Sequence, residues 1–241
     1  MERSGHRLFR YRNHLPLLLI PLLVLAMGQS EGLERHYGDA FEIAWGLLCV
    51  AIMLSGLVIR CLVVGYSPRG TSGRNSRAQH AGSLNTRCMY SVVRHPLYLG
   101  NFLIMIGAIS MIEVWWLAVV ATLAFALYYE RIILAEEAFL ETRFGDHFRE
   151  WAEHTPAFFP ALQLWLAPRR PFSVRMVLAN ESATFAQIVV AATLIRLACD
   201  WTVWRRLGES NVILSGFAAC SLVVYFALRA MRKKTRWLSP R

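Results

Sequence analysis

Lysine is almost missing from this chain. Lys233 and Lys234 are its only two, so nearly all of the 26 basic residues are arginine. Charge of either sign is scarce, at 17% against 56% apolar residues, and mean hydropathy is +0.38. That argues against an ordinary soluble domain and fits a polytopic membrane protein. The five cysteines, Cys49, Cys61, Cys88, Cys199 and Cys220, make no C-x-x-C pair. Neither a zinc ribbon nor a disulfide framework is indicated, and they read as small buried apolar residues. No His, Cys and Asp cluster has metal-ligand spacing, so no metal is expected. G-x-G-x-x-G and Walker A motifs are both absent, which removes the soluble nucleotide-binding fingerprints.

What is present is a set of apolar runs along one membrane-embedded unit, residues 1–241. A span needs about 20 apolar residues. Six candidates lie near 9–28, 41–65, 97–112, 114–134, 184–204 and 211–229. The expected fold is all-α, a polytopic helical bundle with about six transmembrane helices. Ile112-Glu113-Val114 leaves almost no loop, so 97–134 should be a tight antiparallel hairpin. The first candidate has a second reading: Arg3, Arg7, Arg10 and Arg12 before a short apolar core resemble a cleavable signal peptide. Removal would put the arginine-rich loop after the second span on the far side, so the span reading is preferred.

Net charge is +10. In so apolar a chain this points to orientation and anionic lipid, and no nucleic-acid partner is expected. The loop from Tyr66 to His95 carries Arg69, Arg74, Arg77, Arg87 and Arg94 and no acid, which makes it cytoplasmic. The tail, with Arg232, Lys233, Lys234, Arg236 and Arg241, is cytoplasmic too. The acidic first loop, with Glu31, Glu34, Asp39 and Glu42, lies outside. Both termini are then cytoplasmic, although Arg205 and Arg206 fall outside in this scheme. Arg196 and Asp200, four apart in the fifth span, read as an internal ion pair.

Leu140, Phe144, Phe148 and Trp151 recur at helical spacing beside a charged face. That is an amphipathic helix suited to the membrane interface, and Gly145 is placed to bend it. The stretch 161–183 shows no clear chemistry.

The richest segment is Tyr90-Ser-Val-Val-Arg-His-Pro-Leu-Tyr-Leu-Gly100, followed after an apolar hairpin by Glu130-Arg131 and Glu136-Glu137. Pro96 fits the first turn of a helix, which puts His95 near its N-cap. His95 and Tyr98, three apart, share a face. Ionisable groups at two neighbouring helix ends suggest one shared site.

Arg94-His-Pro-Leu-Tyr-Leu-Gly100, the hairpin, and Glu136-Glu137 seven residues before Phe144-Gly145 resemble the isoprenylcysteine carboxyl methyltransferase and phospholipid methyltransferase superfamily. The likeness is clearest over about 60–160. The stretch Gly65-Tyr-Ser-Pro-Arg-Gly-Thr-Ser-Gly-Arg-Asn75, with Leu84-Asn-Thr86 and Tyr128-Tyr-Glu-Arg-Ile132, is similar to bacterial members. The resemblance implies an integral membrane enzyme, in a bacterial inner membrane, that uses S-adenosyl-L-methionine without a Rossmann domain. By position, Tyr90, His95, Pro96, Leu97, Tyr98, Gly82, Ser83, Leu84, Asn85, Glu136 and Glu137 would contact the cofactor. His95, Glu136 and Arg131 would serve catalysis, with Arg131 meeting the acceptor's anionic group. Arg131 stands five residues before Glu136 where four are expected, which turns it about 100° around a regular helix. Cys88 occupies a position where glycine is common. The implied acceptor is a lipid or lipidated molecule with a phosphate or carboxylate, lipid A 1-phosphate being one example. The competing readings are an NADPH-dependent membrane reductase with a related helical core, and a non-catalytic membrane protein that has kept the fold.

Overall fold

The structure, a computed structural model, describes residues 20–30, 37–68, 82–204 and 209–234. Most of the first expected span (9–19), the acids Glu31 and Glu34, the loop 69–81, Arg205, Arg206 and the tail beyond 234 lie outside the described residues. Among the described residues eight α-helices follow in order: α1 Ile20–Met27, α2 Asp39–Tyr66, α3 Met89–Val92, α4 Pro96–Ser110, α5 Trp115–Phe144, α6 Asp146–His154, α7 Val174–Trp204 and α8 Glu209–Lys234.

The fold is helical throughout the described residues, and four helices are long and apolar enough to cross a membrane. These are Ala40–Tyr66, Trp115–Phe144, Val174–Thr202 and Asn211–Arg232. The sequence suggests six. The difference lies in α4, which at 15 residues reaches only about 22 Å against a hydrocarbon core of about 30 Å, and in α1, of which eight residues are described. Two helices run beyond their expected limits. α5 continues from 134 to Phe144 and so carries Glu136 and Glu137 on regular helix. α7 starts at Val174 and so takes in Glu181.

α4 makes its closest approach to α2, through glycine. A Cβ at Gly56 would lie 2.5 Å from Gly100 O, and one at Gly107 would lie 2.8 Å from Cys49 O. Small residues let apolar helices meet backbone to backbone where lipid gives no hydrophobic drive. Trp45 Nε1 donates to Ser110 O at 2.9 Å and fixes the far end of this pair. The turn from α4 to α5 is as tight as the sequence suggests. Ile112 N bonds Ile109 O at 3.0 Å and Glu113 N bonds Ser110 O at 3.1 Å, with Glu113 at φ 66°.

Gly145, at φ 55°, ends α5 and opens α6, so the expected bend is a break between two helices. The apolar face of α6 docks inward: Phe148 is 5% exposed and Trp151 Nε1 donates to Tyr90 O at 3.1 Å. From there the chain straps across α3. Arg94 N bonds Pro156 O (2.8 Å), Ala161 N bonds Val92 O (2.9 Å) and Cys88 N bonds Leu166 O (2.9 Å).

Two charged clusters inside the apolar helices are paired. Arg196 binds Glu42 and Asp200, the latter at 3.1 Å, as expected for the 196–200 pair. Arg60 and Glu181 form a two-pronged pair, Nε–Oε2 2.9 Å and NH2–Oε1 3.1 Å.

Candidate functional site

Pro96 sits at the first turn of α4 and His95 at its N-cap. The imidazole is therefore held at the end of α4 that adjoins the last turns of α5. His95 Nε2 donates to Glu137 Oε1 at 2.8 Å. His95 Nδ1 lies 3.8 Å from Glu136 Oε2. Tyr98 OH donates to the same Glu136 oxygen at 2.8 Å. Arg94 Nε stands 3.3 Å from Glu137 Oε1, buried and without a hydrogen-bond partner among the described residues.

The two carboxylates thus differ. Glu137 is held by His95 and Arg94, whereas Glu136 is held by Tyr98 through one oxygen and has its other oxygen unpaired among the described residues. The His95 ring is 5.6 Å from Tyr98 and near-parallel to it. Tyr98 in turn packs on Tyr129 at 4.7 Å, and Tyr129 stacks on Phe125 at 4.0 Å. Aromatic rings therefore floor the cluster on its apolar side. Burial pushes the Tyr90 phenol above its ordinary pKa, and the Glu136 charge adds to this, so that phenol stays protonated near the cluster.

The remaining residues named from sequence fall in three places. Ser83, Leu84 and Asn85 join Tyr90 in lining a cavity of about 270 Å³. Pro96 is fully buried and Leu97 packs with Cys88, Met89 and Val92, so both are built into the core of this end. Gly82 and Arg131 are exposed. Arg131 has no partner among the described residues and stands apart from the hydrogen-bonded cluster, in keeping with its shifted helical position. Sequence reasoning passed over Arg169, Arg170, Arg60 and Glu181. For the last two the available sign was an ionisable residue inside or beside an apolar run.

Cys88 deserves a separate test because it adopts φ 56°, ψ −132°, a region that favours glycine. Its N–H and C=O are both engaged, by Leu166 O and by Ser91, so the turn is imposed despite the side chain. Cys88→Gly relieves about 1 kcal/mol of strain but also removes a side chain buried in the core, so it should lower the melting temperature less than Cys88→Ala, which loses packing and keeps the strain. Thermal scans of the two purified variants check this; a lower melting temperature for Cys88→Gly than for Cys88→Ala would contradict it.

A short helix opened by His-Pro, set against paired acids at the end of a long apolar helix, defines a membrane-embedded helical protein with a polar site at the end of its bundle. The comparisons with known proteins place it further. The phospholipid methyltransferase family model matches residues 41–147, a stretch that holds α2 to α5 and the whole acid–histidine cluster. The chain is 34% identical over 162 residues to the nickel-cobalt-cadmium resistance protein NccN of Alcaligenes xylosoxydans xylosoxydans, covering 67% of this chain and 68% of that one. It is 45% identical over 83 residues to the cobalt-zinc-cadmium resistance protein CzcN of Cupriavidus metallidurans, 34% of this chain and 38% of the other. It is 29% identical over 123 residues to the protein-S-isoprenylcysteine O-methyltransferase of Schizosaccharomyces pombe, 49% of each. No solved structure matches. The chain belongs to the isoprenylcysteine carboxyl methyltransferase and phospholipid methyltransferase superfamily, a family of membrane methyltransferases.

Proposed function

We propose that this chain transfers a methyl group from S-adenosylmethionine to an anionic oxygen, phosphate or carboxylate, of a lipid acceptor at the cytoplasmic face of a bacterial inner membrane. The observation that carries the reading is the charge of the cluster. Two carboxylates, Glu136 and Glu137, stand against one guanidinium, Arg94. Carboxylates outnumber the guanidinium in the cluster, which suits a cationic sulfonium ligand.

The residues fit such a donor. Glu136 has a carboxylate oxygen to spare and Arg94 Nε has a hydrogen to give. When bound, S-adenosylmethionine supplies an electrophilic methyl group that an already ionised oxygen can take without a general base. The chain's own work is then placement and dryness. Glu137 locks His95 and Arg94. Tyr98 orients Glu136. α6 and the strap that follows cover α3 and limit water, which strengthens the electrostatics of the site.

The bacterial relatives are named for resistance to nickel, cobalt, zinc and cadmium. Methylation of a lipid phosphate or carboxylate removes a negative charge and an oxygen ligand for divalent cations. A methyltransferase acting on such a lipid is therefore compatible with those names.

Donor choice tests the reading. Purified protein should be protected against thermal unfolding by S-adenosylhomocysteine and not by NADPH. Protection by NADPH alone would favour a reductase, and protection by neither would favour a non-catalytic protein.

A further inference from the structure

The cavity beside Tyr90 has a charge of one sign. Among the described residues its walls hold Arg87, Arg169 and Arg170 and no acid. The acid–histidine cluster is adjacent, since Tyr90 lines the cavity and its phenol lies in the field of Glu136. A cationic cavity thus lies beside the acid–histidine cluster.

The segment that presents two of these arginines is fixed at both ends. Arg87 NH1 donates to Ala167 O at 3.2 Å. Ser173 N bonds Gly65 O at 3.0 Å, and the Phe172 ring lies so close over Gly65 that a Cβ there would be 2.2 Å from it. Between these anchors runs Pro168-Arg169-Arg170-Pro171, where each proline fixes its own φ. The cavity is thereby built before any ligand arrives.

The neighbours indicate where a ligand comes from. Trp165, Leu166 and Phe172 are 45%, 49% and 40% exposed. Exposed aromatic and aliphatic groups alternating with arginine form a surface for the interface between lipid tails and head groups. Guanidinium forks suit phosphate and carboxylate oxygens in pairs.

We infer that this cavity holds the anionic head group of the lipid acceptor, a phosphate or carboxylate carried on an apolar chain, with Arg169 and Arg170 as its principal contacts and Arg87 as the brace of the segment that bears them. The inference rests on the methyl-transfer reading. It places acceptor recognition in a segment beyond the 41–147 family match, while Arg131 is exposed on α5. Tyr90 and the 83–85 loop would be the wall where acceptor and donor meet.

The test measures binding of three probes to full-length protein in detergent: dioctanoyl phosphatidic acid, inorganic phosphate and S-adenosylhomocysteine. For R169A/R170A the affinity for the phosphatidic acid should fall at least tenfold, while S-adenosylhomocysteine affinity stays within about twofold. R169K/R170K, which keeps charge and loses the fork, should fall between the variant and the wild type and controls for folding. Inorganic phosphate should bind the wild type more weakly than the lipid. Unchanged phosphatidic acid binding overturns the site. An equal loss for S-adenosylhomocysteine assigns the arginines to the donor and overturns the acceptor role. Equal affinity for inorganic phosphate and lipid overturns the membrane source. Failure of S-adenosylhomocysteine to bind the wild type would strike the methyl-transfer reading separately.

Discussion

Glu136→Gln should lower affinity for S-adenosylmethionine about 10- to 100-fold while changing affinity for S-adenosylhomocysteine less than threefold. The difference between the two ligands is the sulfonium charge, since the homocysteine form carries a neutral thioether. Glu136 has one oxygen committed to Tyr98 OH at 2.8 Å and the other available. The substitution keeps size and hydrogen-bonding capacity and deletes the charge. A contact between ionised partners is worth about 1.5–3 kcal/mol, which converts to that range. Glu137→Gln should behave otherwise. Glu137 is engaged by His95 at 2.8 Å and by Arg94 at 3.3 Å, so its loss frees both side chains and weakens the two ligands alike. Calorimetric titration of both variants separates the roles. Equal losses of the two ligands in Glu136→Gln would contradict the assignment of this carboxylate to the sulfonium.

The second large effect is on stability and arises far from that cluster in sequence. Glu181→Ala should destabilise the protein by about 3–5 kcal/mol, because it leaves the Arg60 guanidinium buried without its counter-ion. Glu181 is 2% exposed and Arg60 13%. The double change Arg60→Met/Glu181→Leu removes both charges and should recover most of the loss, as apolar replacement of buried pairs does elsewhere. A melting temperature for the double variant as low as that of Glu181→Ala would contradict the account. The pair also leads to the site: Arg60 NH1 donates to Asn101 Oδ1, Asn101 Nδ2 to Tyr129 OH at 3.3 Å, and Tyr129 packs on Tyr98. The double variant should therefore fold yet bind the donor less well than wild type.

How far the sequence reaches is clear from particular residues. His95 at a helix start was legible because Pro96 marks the first helical turn and punctuates the chain locally. The meeting of His95 with Glu136 and Glu137 was expected from their places at neighbouring ends of a hairpin, and the structure brings them together. The lengths of α5 and α7 were not legible. Their polar turns, around Glu136 and around Glu181, lower local hydropathy, while hydrogen bonding and distant ion pairs keep them helical. Glu181 finds its partner 121 residues away, a separation that no local pattern encodes. Arg169 and Arg170 fall in the stretch 161–183 that showed no clear chemistry, because their meaning depends on anchors at Gly65 and Arg87. The backbone of Cys88 could be suspected from the glycine common there, but only coordinates give its positive φ.

The most direct test of methyl transfer uses the purified protein, methyl-labelled S-adenosylmethionine and a total bacterial lipid extract. The account predicts label in an anionic lipid, as an ester that mass spectrometry reads as one added CH₂, and its loss in Glu136→Gln. Label in no lipid, with the donor shown to be bound, would contradict it.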